Sequence, residues 1–252
     1  MNSTLEHKIA SMTANELQAL CERGQQELMR MEYLDAEATL AQAEKYAFEE
    51  EDWDTLSRLY LPLQEARRQK RQRCADGIVC LDLIAEEAEA PIDPRHVVEN
   101  FPHGQLLVAG WGTTAPAAGV RKLAERHKLF LETFLAAAFP LHSGRVVAIV
   151  PIAESALPDT TPRTSDELLA LLPPHSFLLN ESELPTGRQR GTVQTAERIF
   201  ALWERLHAPF LGDADRQTDP ILKIEGYRQT IRVDYACELA HQKLAAVART
   251  LR

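Results

Sequence analysis

Apolar residues along this chain keep two rhythms, a helical one toward both ends and a strand-like one between them. Thr13-Ala-Asn-Glu16 spells a capping box, in which a hydroxyl and a carboxylate serve the free amides of a new helix, so a helix is expected from about residue 14. Leu17, Leu20, Cys21 and Leu28 then recur at near-helical spacing. A second helix is expected from about Tyr33, and a third that ends in the basic run Arg67, Arg68, Lys70, Arg71 and Arg73. From Gly77 the pattern shortens. Gly77–Ile84, Gln105–Gly110, Arg145–Ile152 and Ser176–Asn180 read as strands, with a short helix near Asp93–Asn100, a long amphipathic helix over Pro116–Ala138 and a helix capped by Thr164 and running through Leu172. Strands that alternate with helices, and are apolar almost throughout, imply a small, mainly parallel sheet of three to four strands covered on both faces over about 75–185.

Gly187–Gly191 reads as a polar linker. A helix from about Thr192 places Ile199, Leu202, Trp203 and Leu206 on one side, and Ala208–Thr218 reads as a loop. Asp219-Pro220 supplies a cap and a first-turn proline, opening two helices that meet at Asp234–Cys237. The expected class is mixed α+β and α/β, with a helical region at 1–74, an α/β domain at 75–190 and a C-terminal helical region at 191–252.

Within the helical parts, Leu20, Gly24, Tyr33, Ala36, Leu40 and Ala43 set a small residue in one helix against an aromatic, alanines and a large apolar residue in the next. Trp53, Leu56, Ser57 and Tyr60 then fit the spacing W-x2-L-G-x2-Y with Ser in place of Gly, and Trp53 follows Leu20 by about one repeat period. Near the C-terminus, Tyr227 opens Y-R-Q-T-I-R-V-D, and His241, Leu244, Ala245 and Ala248 follow the first-helix spacing with His, Ala and Ala in place of Trp, Gly and Tyr. These phrases resemble tetratricopeptide repeats (TPR), a family of helical hairpins. Small residues on this spacing let two helix backbones approach closely. The resemblance implies a binding or scaffolding architecture, without a partner or a reaction. Tyr235 stands where the family usually turns with proline, so the last two helices are free to fuse or kink instead. A free-standing solenoid needs about three repeats, so the α/β unit is expected to cap exposed apolar faces.

Composition narrows the function. With 252 residues and 45% apolar content there is material for a proper core, and a formal charge of −9 argues against a nucleic-acid protein, which would normally show a basic face. No apolar run is long enough to span a bilayer, and the opening MNSTLEHKIA lacks the pattern of a signal peptide, so a cytoplasmic protein is expected. The four cysteines, Cys21, Cys74, Cys80 and Cys237, lack metal-ligand spacing and read as reduced, buried thiols. The basic run at 67–73 reads as cations at a helix C-terminus, with an anion or nucleic-acid grip as the rival reading.

In open parallel sheets, ligands bind beyond the carboxyl ends of the strands. The candidates there are Gly110, Gly112, Thr113 and Thr114 after the second strand, Glu154 and Ser155 after the third, and Asn180-Glu-Ser182 after the fourth. Gly110–Thr114 is neither G-x-G-x-x-G nor a phosphate loop with its lysine, and it also spells a tight turn with a threonine cap. Ser155 lacks a nucleophile elbow. His96, His103 and His142 would have to meet in space to hold a metal, and no metal or other cofactor is expected. Trp53, Tyr60 and Tyr227 are candidate partner anchors, with a core role as the alternative, as for Trp203. The expected function is therefore non-enzymatic: an interaction or scaffold protein holding a protein or peptide partner, without nucleic acid or membrane. The rival is a nucleotide- or small-acid-binding α/β enzyme with its site at the strand ends.

Overall fold

The structure is a computed structural model that describes residues 13–142, 144–152, 157 and 162–252. It is a mixed α+β fold in which a six-stranded sheet and a layer of helices share elements. Helix α1 (Ala14–Met29) starts at the expected capping box, with the Glu16 amide donating to Thr13 Oγ1 and the Thr13 amide to Glu16 Oε2. Helix α2 (Tyr33–Glu49) returns along it, and α3 (Trp53–Asp76) follows, capped by Asp52 accepting from the Thr55 amide at 2.9 Å. Residues 17–60 thus form a helical pair leading into a third helix. At the crossing of α1 and α2, a Cβ on Gly24 would lie 2.6 Å from Leu40 Cγ, so only a bare backbone fits.

The chain then leaves the helical layer. Strand β1 (Ile78–Ile84), α4 (Pro94–Asn100), β2 (Gly104–Trp111), α5 (Ala115–Arg126), β3 (Leu131–Leu141), β4 (Gly144–Ile149), α6 (Ser165–Leu171), β5 (Phe177–Asn180) and β6 (Gln189–Arg190) build the α/β unit. The strand order is β5-β4-β3-β2-β1-β6. Strands β1, β2 and β3 are parallel, whereas β4, β5 and β6 join antiparallel. Both edges are short strands, which leaves little unpaired backbone to recruit another chain.

Four expectations are corrected here. The sheet has six strands and is mixed, where a mainly parallel one of three to four was expected. The long helix over Pro116–Ala138 is instead α5, ending at Arg126, followed by a left-handed Lys128 (φ 51°) and strand β3. A central strand buried on both faces is apolar almost throughout, and Phe-Leu-Ala-Ala-Ala-Phe carries no rhythm to separate it from a helix. The Arg145–Ile152 strand is therefore β4, the antiparallel partner of β3 in a hairpin. The Gly187–Gly191 linker contains edge strand β6, and the loop at Ala208–Thr218 is mostly the second half of α7 (Val193–Arg216), which carries Pro209 within it.

Helices α8 (Pro220–Val233) and α9 (Glu238–Arg249) turn at Asp234 instead of fusing. The Asp234 Oδ1 accepts the Ala236 amide (3.1 Å) and its carbonyl accepts the Cys237 amide (3.1 Å), an Asx turn doing what proline does elsewhere. Helix α9 then packs on α3, with α8 beside it and α7 beside α8, so the neighbours in space run α1, α2, α3, α9, α8, α7. Gln64–Glu238 and Arg67–His241 contacts hold α3 to α9. Leu17, Leu40, Leu56, Tyr60, Ile224, Tyr227 and Leu244 belong to one core, which both ends of the chain build together.

The sheet has two further cores. Helices α4, α5 and α6 cover one face over Leu106, Val108, Leu135 and Phe139. The other face, with Leu107, Phe134, Ala136 and Ile149, lies under Ile199, Trp203 and Leu206 of α7. Trp203 stacks on Phe134 with ring centroids 4.3 Å apart. One turn further on, Leu211 and Ala214 of α7 enter the helical core, so a single helix is bonded to both layers.

Close approach at Gly24 and slack at Gly212 make opposite forecasts. Gly24→Val should lower the urea midpoint by about 1–3 kcal/mol of stability through overpacking against Leu40. Gly212→Ala, where the nearest atom lies at 3.6 Å, should raise it by roughly 0.5–1 kcal/mol through helix propensity.

Candidate functional site

Helix α3, strand β3, helix α7 and the α8–α9 turn converge on Arg71. Its guanidinium is buried, with Nη2 at 2.7 Å from Glu132 Oε1 on β3 and 2.7 Å from Asp234 Oδ1 in the turn. Its carbon lies 4.4 Å from the centre of the Trp203 ring and 4.9 Å from that of Tyr235, so two aromatic faces bracket the cation. The second Asp234 oxygen sits 2.6 Å from His207 Nδ1. Arg71, Glu132, Asp234 and His207 therefore form one continuous chain of alternating charge.

Burial sets the protonation states. For His207 burial is the largest single influence and works against the charged form, but the interactions with Asp234 and Cys237 together outweigh it and lift the imidazole to about 9, so His207 is a cation at neutral pH. Burial would raise Asp234, yet Arg71 and His207 hold it below the ordinary carboxylate range. His241 shows the opposite outcome. Burial and the nearby Arg67 push it down to about 3, and its Nδ1 donates to the Cys237 carbonyl (2.8 Å) while Nε2 accepts from Arg67 (3.0 Å). It is a neutral core histidine. Arg121 of α5 reaches the same region, fixed by its Nε on the Thr133 carbonyl (2.8 Å), and burial, with the nearby Arg71 charge, lowers it to about 10 against the opposing pull of Glu132.

Two clefts flank this ion chain. One, of about 720 Å³, is an open trough between the end of α3, the outer side of α7 and the start of α9, with Arg71, Trp203, His207 and Asp234 at its base. Val193, Phe200 and Leu239 line it and remain 77%, 42% and 46% exposed. Asp76, Glu197, Glu204 and Glu238 stand around them, and Arg68, the solvent-facing cation there among the described residues, is tied to Glu65 at 2.7 Å. The other cleft, of about 480 Å³, lies between α2, α5, β3 and the α8–α9 turn, and is reached by Glu132, Arg121, Trp203 and Tyr235.

The residues singled out from the sequence fall elsewhere. Gly110–Thr114 is a turn closed on itself: a Cβ on Gly110 would meet the Thr113 carbonyl at 2.7 Å, and Gly112 has φ 61°. The Gly112 amide serves the Ala138 carbonyl, the Ala115 amide serves Thr113 Oγ1, and Pro116 has no N–H. Few amides are left there for an anion, and Thr114 caps α5 without a side-chain bond. None of the five described clefts is lined by Gly110, Gly112, Thr113 or Thr114. Glu154 and Ser155 lie outside the described residues. Tyr60 and Tyr227 are buried in the helical core, their hydroxyls on Glu44 and Asp215, and Trp53 packs edge-on against Phe48, so these anchors serve packing and do not line the trough. His96, His103 and His142 are not brought together, and no group of three metal-ligating side chains converges among the described residues. The four cysteines are buried and unpaired, with Cys80 pushed up to about 12 by burial.

The basic run at 67–73 does more than answer a helix dipole, since Arg71 carries the buried ion chain. Glu132, His207 and Arg121 escaped notice in the sequence. One signal was there: Glu132 is the lone charge within an apolar run, and a carboxylate is fully buried only when paired. Comparison with protein-family models, with curated proteins and with solved structures finds no match for the chain. No helix among the described residues is long and apolar enough to cross a membrane.

The two histidines set opposite slopes of stability with pH. His207 has its folded value raised to about 9, so its contribution is complete below its unfolded value near 6.5 and is lost as pH rises to 9, on the order of 3 kcal/mol. His241 has its folded value lowered to about 3, so stability is lost as pH falls below about 6.5 and the unfolded chain takes up the proton. Urea denaturation should therefore peak near pH 6.5. His207→Gln should flatten the alkaline limb, and His241→Gln the limb between about pH 6.5 and 5.

Proposed function

We propose that the protein is a non-enzymatic interaction or scaffold protein whose TPR-like helical layer holds a segment of a partner protein in the trough between α3, α7 and α9. The observation that carries this reading is the trough itself: three exposed apolar side chains, Val193, Phe200 and Leu239, inside a ring of four carboxylates. A soluble surface seldom leaves such residues grouped in a concavity without use for them. The occupant that complements them is an amphipathic segment with apolar residues on one side and Lys or Arg beside them, since the carboxylates attract cations and repel an acidic segment. Its floor is preformed, because Arg71 and Asp234 are held in the ion chain and Trp203 is stacked between Arg71 and Phe134, and a preformed groove costs less to fill than one that must order on binding. The likeness of α1–α3 and α9 to repeat hairpins supports the same role, with Gly24 against Leu40 as its close-packed contact.

Peptides selected from a random display library on the full chain provide the test. Enriched sequences should carry apolar residues at helical spacing next to Lys or Arg, bind more weakly in high salt, and lose about tenfold or more in affinity on the double change Phe200→Glu, Leu239→Glu. Enrichment of acidic peptides, or binding untouched by the double change, would refute the assignment.

A further inference from the structure

The second cleft has a different character. Around the junction of α2, α3, β3, α5 and α7, the buried and half-buried side chains comprise five cations, Arg67, Lys70, Arg71, Arg121 and His207, against three anions, Glu37, Glu132 and Asp234. At the mouth Asp35 is paired with Lys128, while Glu125 and Arg232 are exposed and opposite in sign. This junction, in a chain with a net charge of −9, thus has a local surplus of positive charge among its half-buried members, while its fully buried members are Arg71 against Glu132 and Asp234. Buried charge without a counter-charge is costly.

Unused polar atoms point the same way. Glu132 is 5% exposed and gives one oxygen to Arg71, whereas its Oε2 is buried with no partner among the described residues. Tyr235 Oη and Trp203 Nε1 are likewise buried and without a partner among the described residues. Arg121 has only its Nε engaged there, on Thr133. Glu132, Tyr235, Trp203 and Arg121 all reach the cleft of about 480 Å³, whose walls also carry the paired Glu37 and Lys70 and the apolar Leu34, Ala38 and Leu131. This size is within the range of small-ligand sites.

We infer that this cleft binds a small carboxylate that carries a hydrogen-bond donor beside its acid group, the class of 2-hydroxy and 2-amino acids, with the carboxylate on Arg121 and Tyr235 and the donor on Glu132 Oε2. The carboxylate neutralises a surplus cation, and a planar acid suits the fork of a guanidinium. Phosphate fits less well, because its second charge would face the Glu132 oxygen. The site is distinct from the strand-end turn at Gly110–Thr114, since Leu131 and Glu132 open strand β3 and so lie at the amino end of the sheet. It is also separate from the trough, with which it shares Trp203 alone among the lining residues described.

The test is thermal unfolding and calorimetry of the full chain with a panel of 2-hydroxy and 2-amino acids at about 10 mM, each beside its methyl ester, with inorganic phosphate as a separate arm. At least one acid should raise the melting temperature and saturate, its ester should not, and Tyr235→Phe and Arg121→Met should each weaken it roughly tenfold or more. The change Tyr235→Phe removes one oxygen and keeps the packing, so it decides the matter if Arg121→Met fails to fold. Phe200→Glu, in the trough, should leave acid binding unchanged. The inference is overturned if no acid in the panel binds, if esters or phosphate bind as well as the acids, or if binding survives Tyr235→Phe intact.

Discussion

The fold depends on one buried cation. Arg71 sits where the helical layer meets the sheet, and its single Nη2 holds Glu132 of the central strand and Asp234 of the last interhelical turn. Removing a partner from a buried pair of this kind typically costs about 3–5 kcal/mol, because the remaining charge stays behind without water. Hydrophobic replacement of buried ion sets is often neutral for stability, so the role of this one is read as positional. It fixes the register of α3 over β3, and it places the α8–α9 turn against both. The aromatic faces of Trp203 and Tyr235 confine the guanidinium further, and Trp203 passes the constraint to the sheet through Phe134.

From this joint follows the arrangement of the rest. The chain begins a run of antiparallel helices, departs after α3 to build the sheet, and returns so that α9 lies against α3 as the next member of the run. Helix α7 bridges the two layers because it is amphipathic over both halves, with Trp203 and Leu206 toward the strands and Leu211 and Ala214 toward the helices. The acidic exterior and the cation-rich junction are separated by little more than the Arg71 ion chain. One side offers an apolar trough rimmed by carboxylates, and the other a cleft with unspent donors and one unspent carboxylate oxygen.

Local chemistry was readable wherever it decided the local structure. Thr13-Ala-Asn-Glu16 and Asp219-Pro220 marked helix starts, and Gly24 with Leu40 marked a close helix contact, because caps and small-residue contacts act within a few residues. Strand β3 reads as helix from sequence because burial on both faces erases alternation, and its three consecutive alanines favour helix locally. Ala208–Thr218 reads as a loop in sequence, yet α7 runs on past Pro209, because tertiary packing on either side overrides propensity. The site was the least legible part. Arg71 and Glu132 lie sixty-one positions apart, and Arg71 and Asp234 far more, so no spacing could announce them. The aromatic residues that drew attention as anchors, Tyr60 and Tyr227, owe their spacing to the core.

Hydrogen exchange read by mass spectrometry on Arg71→Met measures whether that one guanidinium joins the two layers. If it does, amides of β3 and of the α8–α9 turn lose protection together, while α1 and α2 exchange as in the wild type. Faster exchange confined to the end of α3, with β3 and the turn unchanged, would show that the layers are held together by something else.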